Sequence, residues 1–343
     1  MLTFYDERTK RRHARTELSG GELVAPFESP ERVDMILRRI GDVGLGEVRP
    51  IAEHGLAPIE AVHDAGYVAF LERVWDLWLQ AGYRGEAIPI GWPTRRMRSD
   101  IVPRDVEGLL GYYALNAETS IEAGTWDAAR ASVDIALSAL DHVLAQRGAA
   151  FGLCRPPGHH AAVDQFGGYC FFNNAAIAAQ AARERGIARV AILDVDYHHG
   201  NGTQQLFYDR DDVFFASLHC TPLDAFPYYL GLADERGEGA GEGFNQNHPL
   251  PLGASYAVWL AALEQALDAI ARFDPGLLIV SLGVDTYEGD PIGGFKLKSP
   301  DFFDYGKRLK PLGVPTLFLM EGGYAVAEIG VNVVNVLAGF EQG

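Results

Sequence analysis

The chain has 343 residues, 48% of them hydrophobic, enough to bury a large core in one α/β domain or two smaller ones. Its 29 basic and 46 acidic residues leave a net charge of −17, which argues against sequence-independent nucleic-acid binding. That charge fits either cationic substrates or a surface made acidic for solubility. The cysteines Cys154, Cys170 and Cys220 form no disulfide framework or metal-site spacing. With no leader, membrane-spanning run or lipidation signal, the expectation is a soluble cytoplasmic protein without a membrane partner.

Ser29-Pro30-Glu31 predicts a helix start, with Ser29 as cap and Pro30 in the first turn. The apolar pattern through Met35, Ile36 and Ile40 carries that helix to Gly41 or Gly44. A second helical pattern covers 65–81. Residues 82–103 carry little periodicity, with Pro89, Pro93, Pro103 and the basic cluster Arg95, Arg96 and Arg98. The segment is too long for a routine connection and reads as an active-site or interface loop, or as a mobile excursion. A long helix is expected over 126–146. Beyond it, strands at 149–154, 190–195, 213–218, 277–282 and 316–320 alternate with helices at 175–185, 256–273 and 302–309. This alternation predicts an α/β fold with a mostly parallel central sheet and helices on both faces.

The ends of those strands carry the chemistry. The apolar run from Val190 ends in Asp194, Asp196, His198 and His199 before the glycines of a turn. Asp196 and His198, two apart, share one face of an extended segment and could chelate one cation, with Asp194 one step deeper. The strand at 149–154 runs into Arg155-Pro156-Pro157-Gly158-His159-His160, that at 277–282 into Asp285, and that at 316–320 into Glu321-Gly322-Gly323-Tyr324. Taken singly, each has an ordinary explanation as core packing, a helix cap or a turn. Their coincidence at strand ends, where open α/β sheets bind ligands, points to one site.

The strings RPPGHH, FGGYCFFNN, DVDYHHGNGTQ, SLGVDTYEGDP and MEGGY resemble the histone-deacetylase-like amidohydrolases of the arginase–deacetylase fold. Within that group the resemblance is closest to the bacterial acetylpolyamine amidohydrolases and runs nearly end to end. It implies a single catalytic domain over 1–343, with an insertion at 82–126 that forms a homodimer interface and narrows the active-site entrance. The implied activity is removal of acetyl groups from acetylated polyamines or diamines, such as acetylputrescine, acetylcadaverine or acetylspermidine.

Asp196, His198 and Asp285 supply two carboxylates and an imidazole, which suit a divalent ion with an open position for water and substrate. Zn²⁺, one per subunit, is the ion the resemblance implies. Two anionic ligands largely cancel the metal charge, so bound water should be acidified less than in an all-histidine site, where its pKa falls to about 7, and a separate base is useful. By resemblance, His160 is the general base and then acid, oriented by Asn201, while His159 stabilises charge beside the reacting water with Asp194 as its partner. Tyr324 would donate to the acetyl oxygen as negative charge develops on it. The Gly168 carbonyl would accept the scissile amide N–H, Tyr169 and Phe226 would wall a slim tunnel, and Ile292 would lie at its rim.

Glu17, Glu107 and Glu118 match acidic positions around the tunnel mouth, Glu107 reaching across from a second subunit. A structural K⁺ is implied around Asp194, Asp196, His198, Ser217 and Leu218, and a second near Phe207, Arg210 and Val213. Three other readings stay open on sequence: a protein acetyl-lysine deacetylase, an arginase-like ureohydrolase with two manganese ions, and a non-enzymatic binder of acetylated cations.

Overall fold

Short apolar runs assemble into an eight-stranded sheet in a computed structural model that describes residues 1–343. In chain order the strands are β1 (Leu2–Phe4), β2 (Glu17–Ser19), β3 (Glu22–Val24), β4 (Val48–Arg49), β5 (Ala149–Gly152), β6 (Val190–Asp194), β7 (Val213–Cys220), β8 (Asn245–Leu250), β9 (Leu277–Leu282) and β10 (Thr316–Met320). The large sheet has the order β4-β1-β5-β10-β9-β6-β7-β8, and every neighbouring pair is parallel. A separate antiparallel hairpin pairs β2 with β3.

Every residue of β6, β7, β9 and β10 is buried, which requires both sheet faces to be covered. The α-helices are α1 (Glu31–Val43), α2 (Ala57–Glu60), α3 (Ala65–Gln80), α4 (Val106–Tyr113), α5 (Thr125–Gln146), α6 (Asn174–Glu184), α7 (Asn201–Phe207), α8 (Tyr256–Phe273), α9 (Ser299–Leu309) and α10 (Val326–Gln342). Helices α5 and α6 pack on each other, α5 against β1, β5 and β10 and α6 against β6 and β9. A second set packs in succession, α8 on α9, α9 on α10 and α10 on α1, with α8 also resting on β6, β7 and β8. One continuous hydrophobic core links the sheet to both sets.

The parallel sheet and most expected elements are present, with corrections. Pro30, not Ser29, occupies the cap position of α1, which has no side-chain cap. The helix ends where expected, on Gly44 in the left-handed conformation. Strand β5 stops at Gly152 and β7 runs on to Cys220, each two residues from its expected end. Residues 82–126 contain the helix α4, capped by the Asp105 carboxylate on the amides of Glu107 and Gly108, and Ala87 bridges to Ile121. The three cysteines are free and buried.

Topology places the site. The chain leaves β5 and returns in β6 three positions away, and β9 and β10 later fill the gap of two, so the centre of the sheet reads β5-β10-β9-β6. The carboxyl ends of these four adjacent strands form the crevice in which such sheets bind ligands.

Candidate active site

Each central strand delivers one part. The segment after β6 supplies Asp196 and His198, and the turn after β9 supplies Asp285; one ligand atom from each lies within 4.8 Å of the others. Asp285 and Asp196 are fully buried and His198 is 9% exposed. His198 Nδ1 lies 3.1 Å from Asp285 Oδ2 and 3.3 Å from Asp196 Oδ1. The outer oxygens of the carboxylates are tied down: Asp196 Oδ2 accepts from Gly322 N at 2.8 Å and Asp285 Oδ1 from Tyr197 N at 2.8 Å. Gly322 is needed for that approach, because a Cβ there would lie 2.4 Å from Asp285 Oδ2 and 2.5 Å from Asp196 Oδ2.

Burial and the neighbouring Asp196 push the Asp285 carboxyl above the usual carboxylate range. A divalent cation among these groups would relieve that repulsion, and two carboxylates with an imidazole are a donor set suited to it. The residues therefore fit a metal. A second compact group, His159, Cys170 and Glu321, fits one poorly. Burial keeps the Cys170 thiol protonated, and Glu321 is turned to the amides of Gly158 and His159, at 2.6 and 3.2 Å.

The two histidines after β5 have different partners. His159 Nδ1 is 2.9 Å from Asp194 Oδ2. Burial opposes charge on that ring, but Asp194 and Asp196 prevail and raise its pKa to about 10. His160 Nδ1 is 2.7 Å from Asn201 Oδ1, a neutral partner. Burial, aided by His159 and His198, pushes its pKa well below 6.5 and keeps the ring neutral. Adjacent imidazoles with ring centroids 4.0 Å apart are thus driven towards opposite protonation states.

Tyr324, after β10, is buried with its phenol pushed well above 10, so at neutral pH it is a donor. The Arg32 guanidinium lies 4.9 Å from the Tyr324 ring centre and donates to the carbonyls of Gly323 at 2.7 Å and Glu321 at 2.5 Å.

These groups open into a cavity of about 230 Å³ lined by Glu17, Glu118, His160, Gly168, Tyr169, His198, Phe226, Ile292 and Tyr324 among others. Phe226 meets His160 edge-on at 4.9 Å, and the Tyr169 ring is 5.5 Å from that of Tyr324. The Tyr169 hydroxyl donates to Glu17 at 2.7 Å, so the most buried rim glutamate braces the wall. Glu107 is absent from the cavity lining; it sits in the first turn of α4. Asp194, which ends β6, is the register partner of Ser217 within β7, and Leu218 follows; Phe207 ends α7, Arg210 N donates to its carbonyl, and Val213 starts β7. A larger groove of about 850 Å³ beside β8 shares no residue with the cavity.

Sequence reasoning passed over three supports. Glu321 stands at a strand end and Asp290 within the SLGVDTYEGDP motif without a role that sequence assigns; the one holds Gly158 and His159 and the other is bonded to Tyr324 N at 2.6 Å. The third, Glu28, is completely buried among Arg12, Arg32 and Arg155. A Glu28–Arg32 spacing of four was the available signal, but it reads equally as a surface helix pair.

A parallel α/β sheet with a candidate metal centre, a histidine pair and a tyrosine at its carboxyl edge defines the class of protein. Residues 26–340 match the histone deacetylase domain, and the chain belongs to that family. It is similar to acetylpolyamine amidohydrolase 2 of Pseudomonas aeruginosa, 53% identical over 341 residues with 99% of each chain covered. The acetylpolyamine amidohydrolase of Mycoplana ramosa is 54% identical over 339 residues, again with 99% of each covered. Among solved structures, the acetylpolyamine aminohydrolase from Burkholderia pseudomallei superposes with a TM-score of 0.94 at 38% identity, over 99% of this chain and 98% of that one.

Proposed function

We propose that the protein is a metal-dependent amidohydrolase that releases acetate from N-acetylated polyamines or diamines. The observation that carries this reading is the convergence of Asp196, His198, Asp285, His159, His160 and Tyr324 from four neighbouring strand ends, under a small cavity with Glu17 and Glu118 in its lining. The likeness over nearly the whole chain to proteins named acetylpolyamine amidohydrolases supports the substrate class.

Asp196, His198 and Asp285 would hold the ion, proposed to be Zn²⁺, which when bound supplies a Lewis acid that polarises the acetyl carbonyl and acidifies water. Neutral His160 takes a proton from the attacking water and returns it to the amine nitrogen as the C–N bond breaks, giving acetate and a free amine. Charged His159, steadied by Asp194, and the Tyr324 hydroxyl stabilise the oxygen that gains negative charge. The Gly168 carbonyl accepts the amide N–H, and Tyr169 and Phe226 flank the methylene chain. Glu17 and Glu118 meet the distal ammonium groups, the contact at exposed Glu118 contributing about 0.2–1 kcal/mol. Hard oxygen donors near Asp194, Asp196, His198, Ser217 and Leu218 suit a structural K⁺, and the Phe207, Arg210 and Val213 turn is the second proposed K⁺ position.

The insertion at 82–126 exposes Ile90, Met97, Ile101 and Val102, at 47–72% of their surface, which supports its burial in a homodimer. In that assembly Glu107 would serve the partner's entrance. No helix is long and apolar enough to cross a membrane; the cytoplasm is the proposed location. Incubation of metal-loaded protein with N-acetylputrescine in ¹⁸O-water tests the chemistry: acetate carrying one ¹⁸O is expected, and absence of acetate release would overturn the reading.

A further inference from the structure

Asp290 touches no group assigned a chemical role above except through backbone. It is only 8% exposed, and each of its four hydrogen bonds comes from a main-chain N–H. Oδ1 closes a local turn on the amides of Ile292 and Gly293, both at 3.1 Å. Oδ2 crosses to another loop and accepts from Tyr324 N at 2.6 Å and Ala325 N at 3.1 Å. Ala325 is the cap residue of α10 and offers no side chain to the first amides of that helix. Asp290 thus ties down, from a remote segment, the two amides that lead into α10 and lies near the positive end of the helix dipole. A buried carboxylate is costly unless it is well bonded, and here the bonds are spent on fixing the backbone from which Tyr324 projects. Arg32 grips the same loop by the carbonyls of Glu321 and Gly323, so Asp290 supplies the complementary grip on amides.

We propose that Asp290 is a positioning residue for acetyl-group hydrolysis, fixing the Tyr324 hydroxyl through the Tyr324 and Ala325 amides and joining it to the turn that carries Ile292 at the rim. This inference rests on Tyr324 being the donor to the acetyl oxygen. In Asp290→Asn the amide oxygen keeps the local turn to Ile292 and Gly293 while its NH₂ faces the Tyr324 N–H, donor against donor. Displacement of a catalytic group by about 1 Å can lower turnover on the order of 100-fold.

The test is a double-mutant cycle of Asp290→Asn and Tyr324→Phe on metal-loaded enzyme with N-acetylputrescine, with rates normalised to metal content and melting temperature recorded for each variant. Asp290→Asn is expected to lower kcat about 10- to 100-fold with KM within about threefold, and to lower it less than about threefold when Tyr324 is already Phe. Multiplicative losses in the double variant, or near-normal kcat in Asp290→Asn, overturn the positioning role while leaving the proposed function standing. Near-normal turnover in Tyr324→Phe overturns both the donor assignment and this inference. If Asp290→Asn does not fold, Asp290→Ser, which retains a short acceptor for the local turn, is taken through the same cycle with the same criteria.

Discussion

Replacing Glu28 with Gln should be among the most damaging single changes outside the cavity. Glu28 Oε1 accepts from Arg155 Nε at 2.7 Å and Arg32 Nη1 at 3.1 Å, and Oε2 from Arg12 Nη1 at 2.9 Å and Arg155 Nη2 at 3.1 Å. All four side chains are no more than 2% exposed, so one buried carboxylate faces three buried guanidinium groups. The imbalance is visible in Arg155, whose pKa is lowered by burial and by Arg12 and Arg32 despite Glu28. Removing the only anion should destabilise the fold by about 3–5 kcal/mol, or a melting temperature lower by about 4–7 °C for a chain of this length. Because Arg32 also holds the Glu321 and Gly323 carbonyls, kcat should fall more than KM rises.

The same carboxyl gives a pH signature. Burial alone would raise its pKa, but the three arginines hold it down at about 2, against an ordinary 4.5. A depressed pKa stabilises the fold above the unfolded value, here on the order of 3 kcal/mol, and that contribution is lost as pH falls from about 4.5 towards 2. The stability gap between wild type and Glu28→Gln, measured by denaturant melts, should be level from pH 5 to 7 and narrow below about 4.5. A melting temperature within 2 °C of wild type, or a gap that ignores pH through that window, would refute the reasoning.

Further expectations follow from the site. Tyr324→Phe should retain fold and metal yet lose on the order of 100- to 1000-fold in kcat, read by steady-state turnover beside metal analysis. Asn201→Asp places an anion on His160, whose pKa burial keeps low, so the acidic limb of the kcat/KM profile should move to higher pH; an unmoved limb would separate His160 from proton transfer. Glu107→Ala and Glu118→Ala should raise KM for acetylated polyamines with little change in kcat, and unchanged KM would make them ordinary solvated residues. Sedimentation at micromolar concentration should show a dimer; a monomer would remove the insertion's proposed role at the entrance.

Legibility in the sequence followed the strength of the local signal. β6, β9 and β10 are uninterrupted apolar runs and were readable along with the ligands that end them. β8 was not, because its sequence NQNHPL looks like a loop. Its Asn245 and Asn247 are buried and donate to Gln204 Oε1 at 2.9 and 2.8 Å, so the polarity serves an interior network rather than solvent. β1 has only three residues and takes its definition from pairing with β4 and β5. Helix α10 was obscured by β-branched residues and glycine; at Gly330 a Cβ would lie 2.4 Å from Met35 O, so helix propensity yields there to close packing on α1. At the site, motif residues were legible by chemistry, whereas Asp290 on the Tyr324 amide, Glu28 on Arg155 and Arg32 on the Gly323 carbonyl act across long sequence separations that no local pattern records.

The measurement that tests the central claim most directly is kcat/KM of Zn²⁺-loaded protein on N-acetylputrescine or N-acetylcadaverine, beside an acetyl-lysine peptide and a chelator-treated control. A preference for the small acetylated amine that disappears with the metal is the predicted result. Preference for the peptide would contradict the substrate assignment, and hydrolysis undiminished in fully metal-depleted protein would contradict the mechanism.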